Sequence, residues 1–170
     1  MKRLWTLCLV SLLLGCAGLP DTVQPVTGFD LSRYTGTWYE IARLDHRFER
    51  GLERVTATYA INPDGSVRVE NRGFAVDSGT WSTAVGKAKP VGDGSAGRFK
   101  VSFFGPFYAP YVVFELDREG YQHAFVTGSA DTLWLLARTP QVPDALKARF
   151  VAQAQQLGYD TDGLIWVRHD

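Results

Sequence analysis

Cysteine is scarce in this chain, with two among 170 residues. Both lie near the N-terminus: Cys8 falls inside an apolar run, and Cys16 closely follows it. Cleavage before Cys16 would leave one cysteine, at the first position of the remaining chain. One cysteine can form neither an internal disulfide nor a multi-thiolate metal site. We therefore expect a fold that is stabilised by burial of apolar surface alone.

An excess of charge is also missing, since 18 Lys and Arg balance 18 Asp and Glu. Removing residues 1–15 takes away Lys2 and Arg3 and no acid, which leaves 16 basic against 18 acidic residues, a net charge near −2. This balance gives no basic patch, so a nucleic-acid partner is not expected. The remaining 155 residues, 170 minus 15, are enough for one domain with a single core.

The N-terminus has the pattern of a targeting segment. A basic start, Met1-Lys2-Arg3, precedes an apolar run over residues 4–14 that is too short to cross a bilayer as a stable helix. The run ends in Leu13-Leu14-Gly15-Cys16, which resembles the bacterial lipobox. An ordinary secretory signal with an incidental cysteine is the alternative.

The lipobox resemblance implies that residues 1–15 are a lipoprotein signal peptide. It also implies that Cys16 is the lipid-attachment residue, carrying diacylglycerol and an amino-terminal acyl chain such as palmitate. Several acyl chains anchor a protein stably where one holds only marginally. Ala17, rather than Asp, after the cysteine is similar to the enterobacterial pattern for sorting to the outer membrane. Residues 16–28, with two prolines and no apolar period, are interpreted as the lipidated N-terminus and a tether.

Beyond the tether, short apolar-polar alternations are separated by turn sequences such as Asn62-Pro63-Asp64-Gly65. They predict eight antiparallel strands, at residues 37–44, 55–61, 66–74, 80–89, 98–104, 111–116, 121–127 and 132–138. Eight such strands can close into an up-and-down barrel that has no free edge and holds one small ligand.

One helix is predicted between the last strands. Pro143 suits a first helical turn, Phe150 and Ala154 share one apolar face with Leu146, and Gly158 is a suitable stop. The apolar stripe is suited to packing on the outside of the barrel. A final short strand is predicted at residues 164–168.

Several segments together resemble the bacterial lipocalins, the outer-membrane lipoprotein branch of the lipocalin family. They are Gly36-Thr37-Trp38 and residues 45–53, 55–59, 70–74, 101–108, 111–117 and 133–140, so that the likeness runs from about residue 29 to the C-terminus. The chain is thus identified as an all-β protein: an eight-stranded antiparallel up-and-down lipocalin barrel at residues 29–170, with one C-terminal α-helix packed outside. One departure is Ala130-Asp131-Thr132, where the family usually has Thr-Asp-Tyr. We expect this change to loosen a loop near the closed end without affecting the fold.

The resemblance implies a structural floor formed by Gly36, Trp38 and Arg138, with the guanidinium over the indole face. Above it, the inward positions of alternating strands should line a ligand cavity. The candidate cavity residues are Val55, Ala57, Tyr59, Val69, Asn71, Phe103, Val113, Trp134 and Leu136. A shift of one residue in this assignment would exchange the inward and outward faces of a strand. Plain core packing is the alternative for any one of them, although a buried Asn71 or Tyr59 needs a polar partner.

An aromatic cluster at residues 103–108 has two interpretations. It is either part of the core or an apolar rim, which would serve the passage of an apolar ligand or a dimer contact. The glycines at 92, 94 and 97 fit a dinucleotide-binding spacing but open no helix, so a turn is favoured. No histidine spacing predicts a metal site, and neither Ser102 nor Ser129 has a nucleophile-elbow context. The acids Glu40, Asp45 and Glu49 are interpreted as a solvated face.

A lipid-binding function follows from the family resemblance, which implies a long-chain fatty acid or a lysophospholipid as ligand. The expected location is the periplasmic face of the outer membrane, with the N-terminal lipid as anchor. No cofactor is expected, and a homodimer is the one protein partner considered. Two alternatives stay open: a lipocalin-fold enzyme acting on a lipid-like substrate, and a structural lipoprotein with a filled barrel.

Overall fold

A computed structural model describes residues 23–170 of the chain. The predicted signal peptide and the attachment residue Cys16 lie outside these residues. Within the described range, no helix is long and apolar enough to cross a membrane.

Nine strands and two helices make up the described chain. In order they are α1 (Leu31–Tyr34), β1 (Gly36–Leu44), β2 (Leu52–Ile61), β3 (Val67–Ala75), β4 (Thr80–Pro90), β5 (Arg98–Ser102), β6 (Ala109–Leu116), β7 (His123–Ser129), β8 (Thr132–Ala137), α2 (Asp144–Gln156) and β9 (Leu164–Trp166). Neighbouring strands from β1 to β8 pair antiparallel, and β1 pairs with both β2 and β8. The sheet is therefore closed, and β9 lies outside it on β1. The predicted barrel with one external helix is confirmed.

The strand predictions miss mainly at the ends of elements. β2 begins three residues before the predicted start, because it pairs with β3 through an irregularity between Glu53 and Thr56. The short α1 is not predicted, although Asp30 caps it by accepting a hydrogen bond from the Ser32 amide at 2.9 Å. A four-residue helix leaves too few apolar positions to show a period.

The two ends of the barrel differ. α1 and the start of β1 lie at one end, which we call the closed end. The loops β1–β2, β3–β4, β5–β6 and β7–β8 follow at the opposite, open end, because each strand reverses the direction of the one before. The turn at Ala130-Asp131 joins β7 to β8 and so lies at the open end. The expectation that it lies near the closed end is wrong, since β8 runs antiparallel to β1.

Helix α2 packs against the outer face of the barrel. Phe150 and Ala154 are fully buried, and the Phe150 ring meets Phe125 edge-on at 5.0 Å between centroids. This contact belongs to an outer core that also contains Leu133 and Leu135, the outward residues of β8. The outer core leaves the barrel interior free for a separate inner cluster.

The segment before α1 is attached to the barrel. Val26 is buried in the inner cluster; its amide donates to the Val113 carbonyl at 2.9 Å, and its carbonyl accepts from the Gly97 amide at 2.8 Å. Thr27 also forms an isolated antiparallel β-bridge with Ala96. The structured domain thus includes residues that the sequence interpretation placed in the tether. Backbone pairing, which needs no apolar period, accounts for this difference.

Candidate functional site

The closed end of the barrel is filled by Trp38 and Arg138. Trp38 is fully buried, its indole NH donates to the Tyr34 carbonyl at 2.8 Å, and the Arg138 guanidinium carbon lies 3.9 Å from the centre of its ring. Arg138 also donates to the carbonyls of Thr37 at 3.0 Å and Arg33 at 2.8 Å. One cation thus covers the indole face and satisfies two carbonyls where the chain enters the barrel.

Gly36 allows this approach. Its φ is +91°, a conformation that side chains rarely adopt, and a Cβ there would lie 3.4 Å from the Arg138 Nη1. The three residues assigned to the floor from the sequence are therefore in mutual reach. They close the barrel and are absent from the cavity wall.

Above the floor, the barrel encloses a cavity of about 410 Å³. This size is within the range of small-molecule sites. Eight of the nine candidate cavity residues line it: Val55, Ala57, Tyr59, Val69, Asn71, Phe103, Trp134 and Leu136. The structure therefore places the inward face where the strand alternation predicted it. Whether these side chains contact a ligand stays a prediction.

Val113 does not line the cavity, which corrects its assignment to the wall. It is fully buried in the inner cluster, packed against Val26 and Gly97 at the closed end. Tyr111, two positions nearer the open end of β6, lines the cavity in its place. The prediction that Val113 points inward was correct. Alternation does not indicate, however, how far a residue lies from the closed end of the barrel.

Three tyrosines line the lower wall as a linked group. The hydroxyl of Tyr111 lies 2.8 Å from that of Tyr34 and 2.9 Å from that of Tyr59. Burial raises the pKa of all three hydroxyls, so they are neutral donors and acceptors at physiological pH. Tyr59 thereby finds the polar partner that its burial requires.

A buried ionic cluster lies on the β1 side of the cavity. Arg43 donates to Glu40 Oε1 at 2.8 Å and to the carbonyls of Glu49 and Leu52 at 2.9 and 3.0 Å. Glu40 is 3% exposed, Arg43 1% and Glu49 8%. The interpretation of Glu40 and Glu49 as a solvated face is therefore wrong. Strand β1 turns Glu40 inward, and the β1–β2 loop folds Glu49 back over it.

Glu49 has two further partners. The Trp134 indole NH donates to Glu49 Oε2 at 3.1 Å, and the Nε2 of His46 lies 2.7 Å from the same oxygen. The His46 ring also meets the Trp134 ring edge-on at 5.4 Å. The cluster thus connects the β1–β2 loop to β8 across the upper cavity wall. Sequence reasoning missed His46 because Trp134, the ring that it packs against, lies on a distant strand.

The two carboxyl groups have opposite pKa shifts. Burial, and then the charge of Glu49, raise the pKa of Glu40 well above its ordinary range, while Arg43 offsets only part of the effect. Burial alone would also raise the pKa of Glu49, but the hydrogen bonding and charge of His46, with the Trp134 indole, lower it. These shifts favour ionisation at Glu49 and protonation at Glu40.

The raised pKa of Glu40 predicts a stability that falls with rising pH. The stabilisation is complete below the unfolded-state pKa of about 4.3 and is lost as pH rises through the higher folded-state pKa. Glu40→Gln keeps the shape of the protonated acid and does not titrate. We expect its free energy of unfolding to fall less between pH 5 and 8, by up to about 1.4 kcal/mol per pH unit, the limit for one proton.

Urea unfolding followed by circular dichroism at pH 5, 6, 7 and 8 measures this slope. Glu119→Gln, at an exposed position of the β6–β7 loop, is the matched control and should keep the native slope. Equal slopes for the native chain and Glu40→Gln would contradict the assignment.

The open end carries an aromatic rim. Phe48, Phe104 and Phe107 are 64%, 68% and 79% exposed, and the rings of Phe48 and Phe104 stack with centroids 6.5 Å apart. Phe103 points inward and lines the cavity. The cluster at residues 103–108 is therefore divided: one residue belongs to the wall, and its neighbours form an exposed rim.

A second cavity, of about 550 Å³, adjoins the first at this rim. It shares Asn71 and Phe103 with the first cavity and extends to Phe104, Arg47 and Arg72. The first cavity therefore opens toward a mouth that has aromatic and basic groups. Within residues 23–170, no group of three or more His, Cys, Asp or Glu side chains is arranged to hold a metal ion.

A closed barrel with a filled floor and an apolar cavity below an open mouth defines the class of small-ligand-binding barrels. A family model of the lipocalin-like domain matches residues 29–169. The structure of insecticyanin from the tobacco hornworm Manduca sexta is similar, with a TM-score of 0.72 and 20% identity, covering 90% of this chain and 87% of that chain. That likeness concerns the fold alone.

Two relatives are much closer in sequence. Outer membrane lipoprotein Blc of Vibrio cholerae is 49% identical over 169 residues, which cover 99% of both chains. Outer membrane lipoprotein Blc of Escherichia coli strain K12 is 51% identical over 150 residues, which cover 88% of this chain and 84% of the relative. The chain belongs to the lipocalin family, in its branch of bacterial outer-membrane lipoproteins. The predicted family and location are thereby confirmed, while acylation of Cys16 stays a prediction.

Proposed function

We propose that this lipoprotein binds one long-chain fatty acid or lysophospholipid, with the acyl chain inside the barrel, for storage, transfer or scavenging of membrane lipids. The cavity of about 410 Å³, closed by Trp38 and open at the rim, is the observation that supports this proposal. Its wall is mostly aliphatic and aromatic, which suits a hydrocarbon tail. A structural lipoprotein with a filled barrel does not fit this volume.

The tail alone supplies useful affinity. Each buried methylene contributes roughly 0.8 kcal/mol, so about a dozen give near 10 kcal/mol before the costs of association are subtracted. Polar groups around the upper cavity then need only distinguish head groups. Binding therefore explains the site without a catalytic step.

The exposed rim supports entry of lipid at the open end. Phe104 and Phe107 present apolar rings where a tail would leave its membrane, and Arg47 and Arg72 lie beside them. The chain joins the barrel near Val26, at the opposite end. In this arrangement the mouth faces away from the point where the predicted tether enters. A homodimer through the same rings is the alternative use of the rim, and analytical ultracentrifugation distinguishes the two.

Lipid binding is tested with the chain from residue 16 onward carrying Cys16→Ser, so that no attached acyl chain competes. Solvent extraction and mass spectrometry of the purified protein should release a single-chain lipid at close to one per barrel. After delipidation, titration with a fluorescent long-chain fatty acid should saturate at one site. A barrel that is empty as purified and ignores the fluorescent fatty acid would refute the proposal. Chemical change of the lipid during incubation would favour the enzyme alternative.

A further inference from the structure

The outer face of strands β3, β4 and β5 is basic. Its outward positions include Arg68, Lys87, Lys89, Arg98 and Lys100. Glu70 is the only acid in these three strands, and it pairs with Arg68 at 2.7 Å. Lys87 pairs with Asp64, in the turn between β2 and β3, at 2.8 Å. The remaining cations give this side of the barrel an excess of positive charge.

Lys89 and Lys100 lie directly opposite each other on the β4–β5 pair. Both are exposed, and their Nζ atoms lie 5.6 and 5.5 Å from the centre of the Tyr108 ring. Neither lysine forms an ion pair with an acid of residues 23–170. Like charges directly opposite each other destabilise a sheet. The fold therefore gains nothing from this lysine pair, whereas an anionic partner outside the chain would remove the repulsion.

Exposed apolar side chains adjoin the two lysines. Val85, on the outer face of β4, is 51% exposed, and Phe107 and Tyr108 of the β5–β6 loop are 79% and 42% exposed. Phe107 and Tyr108 line the adjoining cavity together with Ala84 of β4, so the loop lies next to this strand. Basic and apolar groups thus share one continuous surface. We call Val85, Lys89, Lys100, Phe107 and Tyr108 the docking face.

We propose that the docking face binds the surface of a bilayer that contains anionic phospholipid, so that the barrel lies with this side against the membrane. The lysines meet lipid phosphates, and the aromatic rings enter the headgroup region, where such side chains are favoured. This contact is made by the outside of the barrel. It goes beyond the proposed function and does not depend on what the cavity binds.

The point where the chain joins the barrel supports this orientation. Val26 exchanges backbone hydrogen bonds with Gly97 and Val113, and Thr27 bridges Ala96, so the chain enters beside the start of β5. Lys100 lies on the same strand. An extended chain from residue 16 to residue 23 spans at most about 25 Å. The predicted anchor at residue 16 therefore holds this side of the barrel close to the bilayer.

A second copy of the chain is the other occupant that the surface admits. β4 pairs with β5 only from Lys87 to Pro90, which leaves the backbone of residues 80–86 open along that edge. An isologous contact uses the same patch on both copies, so it would bring the lysine pairs of the two copies together. Anionic lipid brings the opposite charge instead. Charge complementarity thus favours the membrane surface.

Vesicle co-sedimentation tests the docking face with the chain from residue 16 onward that carries Cys16→Ser, which has no anchor. The vesicles are phosphatidylcholine alone, or phosphatidylcholine with about 30% phosphatidylglycerol. We expect binding to the mixed vesicles to be at least about tenfold tighter and to weaken with added salt, because salt screens exposed charges. A barrel that has only extracted a lipid stays in the supernatant.

Two changes in the docking face have separate expected effects. One basic side chain near an anionic surface strengthens binding about fivefold, so Lys89→Gln with Lys100→Gln should weaken binding to mixed vesicles about 25-fold. Phe107→Ala should weaken binding to both kinds of vesicle about fivefold, because it removes apolar area. The control is Lys147→Gln with Arg149→Gln, on helix α2, which packs against β7 and β8. It removes two cations elsewhere and should stay within twofold.

The outcomes distinguish docking from lipid binding and from misfolding. The double lysine variant should bind a fluorescent long-chain fatty acid within twofold of the native chain, and it should unfold at the same or a higher urea concentration, because a repulsion is removed. Equal binding to both kinds of vesicle, or equal losses in the two double variants, would overturn the docking face. Dimerisation that the lysine substitutions strengthen, seen by analytical ultracentrifugation, would assign the face to a second copy and overturn it too.

Discussion

Trp38→Ala is expected to lower the free energy of unfolding by about 3–5 kcal/mol, as is usual for truncation of a fully buried large aromatic residue. The substitution leaves a hole at the closed end and uncovers the Arg138 guanidinium, which lies 3.9 Å from the ring. It also leaves the Tyr34 carbonyl without the indole donor. Domains are stable by only about 5–15 kcal/mol, so roughly a fifth or more of the total is lost. Urea unfolding followed by far-ultraviolet circular dichroism measures the loss.

Trp81→Ala is the matched control for Trp38→Ala. Trp81 has the same 3.9 Å cation–π contact, with Arg72, but it is 46% exposed. We expect a loss of about 1 kcal/mol or less. Both variants lose a cation–π contact, but only Trp38→Ala also loses a fully buried ring. The difference between the two losses therefore measures the contribution of burial. Equal losses would show that Trp38 does not support the floor as described.

Ala57→Phe is expected to weaken lipid binding about 50-fold. Ala57 lies on β2 opposite Asn71 of β3 and lines the cavity, so an added ring occupies space that the tail would fill. Excluding about three methylenes costs near 2.4 kcal/mol, which corresponds to that factor. Since the ring enters an existing cavity, the barrel should keep its native circular dichroism spectrum. Titration with a fluorescent long-chain fatty acid measures the affinity.

Ala60→Phe places the same ring outside the barrel on the same strand. Ala60 is exposed, and its side chain points away from the interior because it is an odd number of residues from Ala57. We expect its lipid affinity to stay within twofold of the native value. Weakening by both substitutions would mean that lipid binds somewhere other than the cavity. Unchanged binding in Ala57→Phe would have the same meaning.

Local patterns predicted the barrel strands well. Alternation placed Val55, Ala57, Tyr59 and Val69 on the inner face, and turn residues such as Asn62-Pro63-Asp64-Gly65 separated the strands. These features depend on neighbouring residues, so a single chain displays them. The same holds for α2, whose apolar face is read from spacing alone.

Depth and partners could not be read from the sequence. Val113 has the correct inward direction but lies at the closed end, because register between strands sets the level of each residue. Glu49 is 85 residues from its partner Trp134, and Arg138 is 101 residues from the Thr37 carbonyl. No local pattern records contacts across such separations.

The sequence by itself therefore determined the strands, their inward face and a barrel as the fold class, while the family resemblance supplied the residues of the floor. Only the tertiary structure decided that Glu40 and Glu49 are buried and not solvated, and that Lys89 and Lys100 lie opposite each other beside Tyr108. The physical reason is that alternation is a property of one strand. Burial, charge pairing and hydrogen-bond satisfaction depend on which distant segments barrel closure brings together.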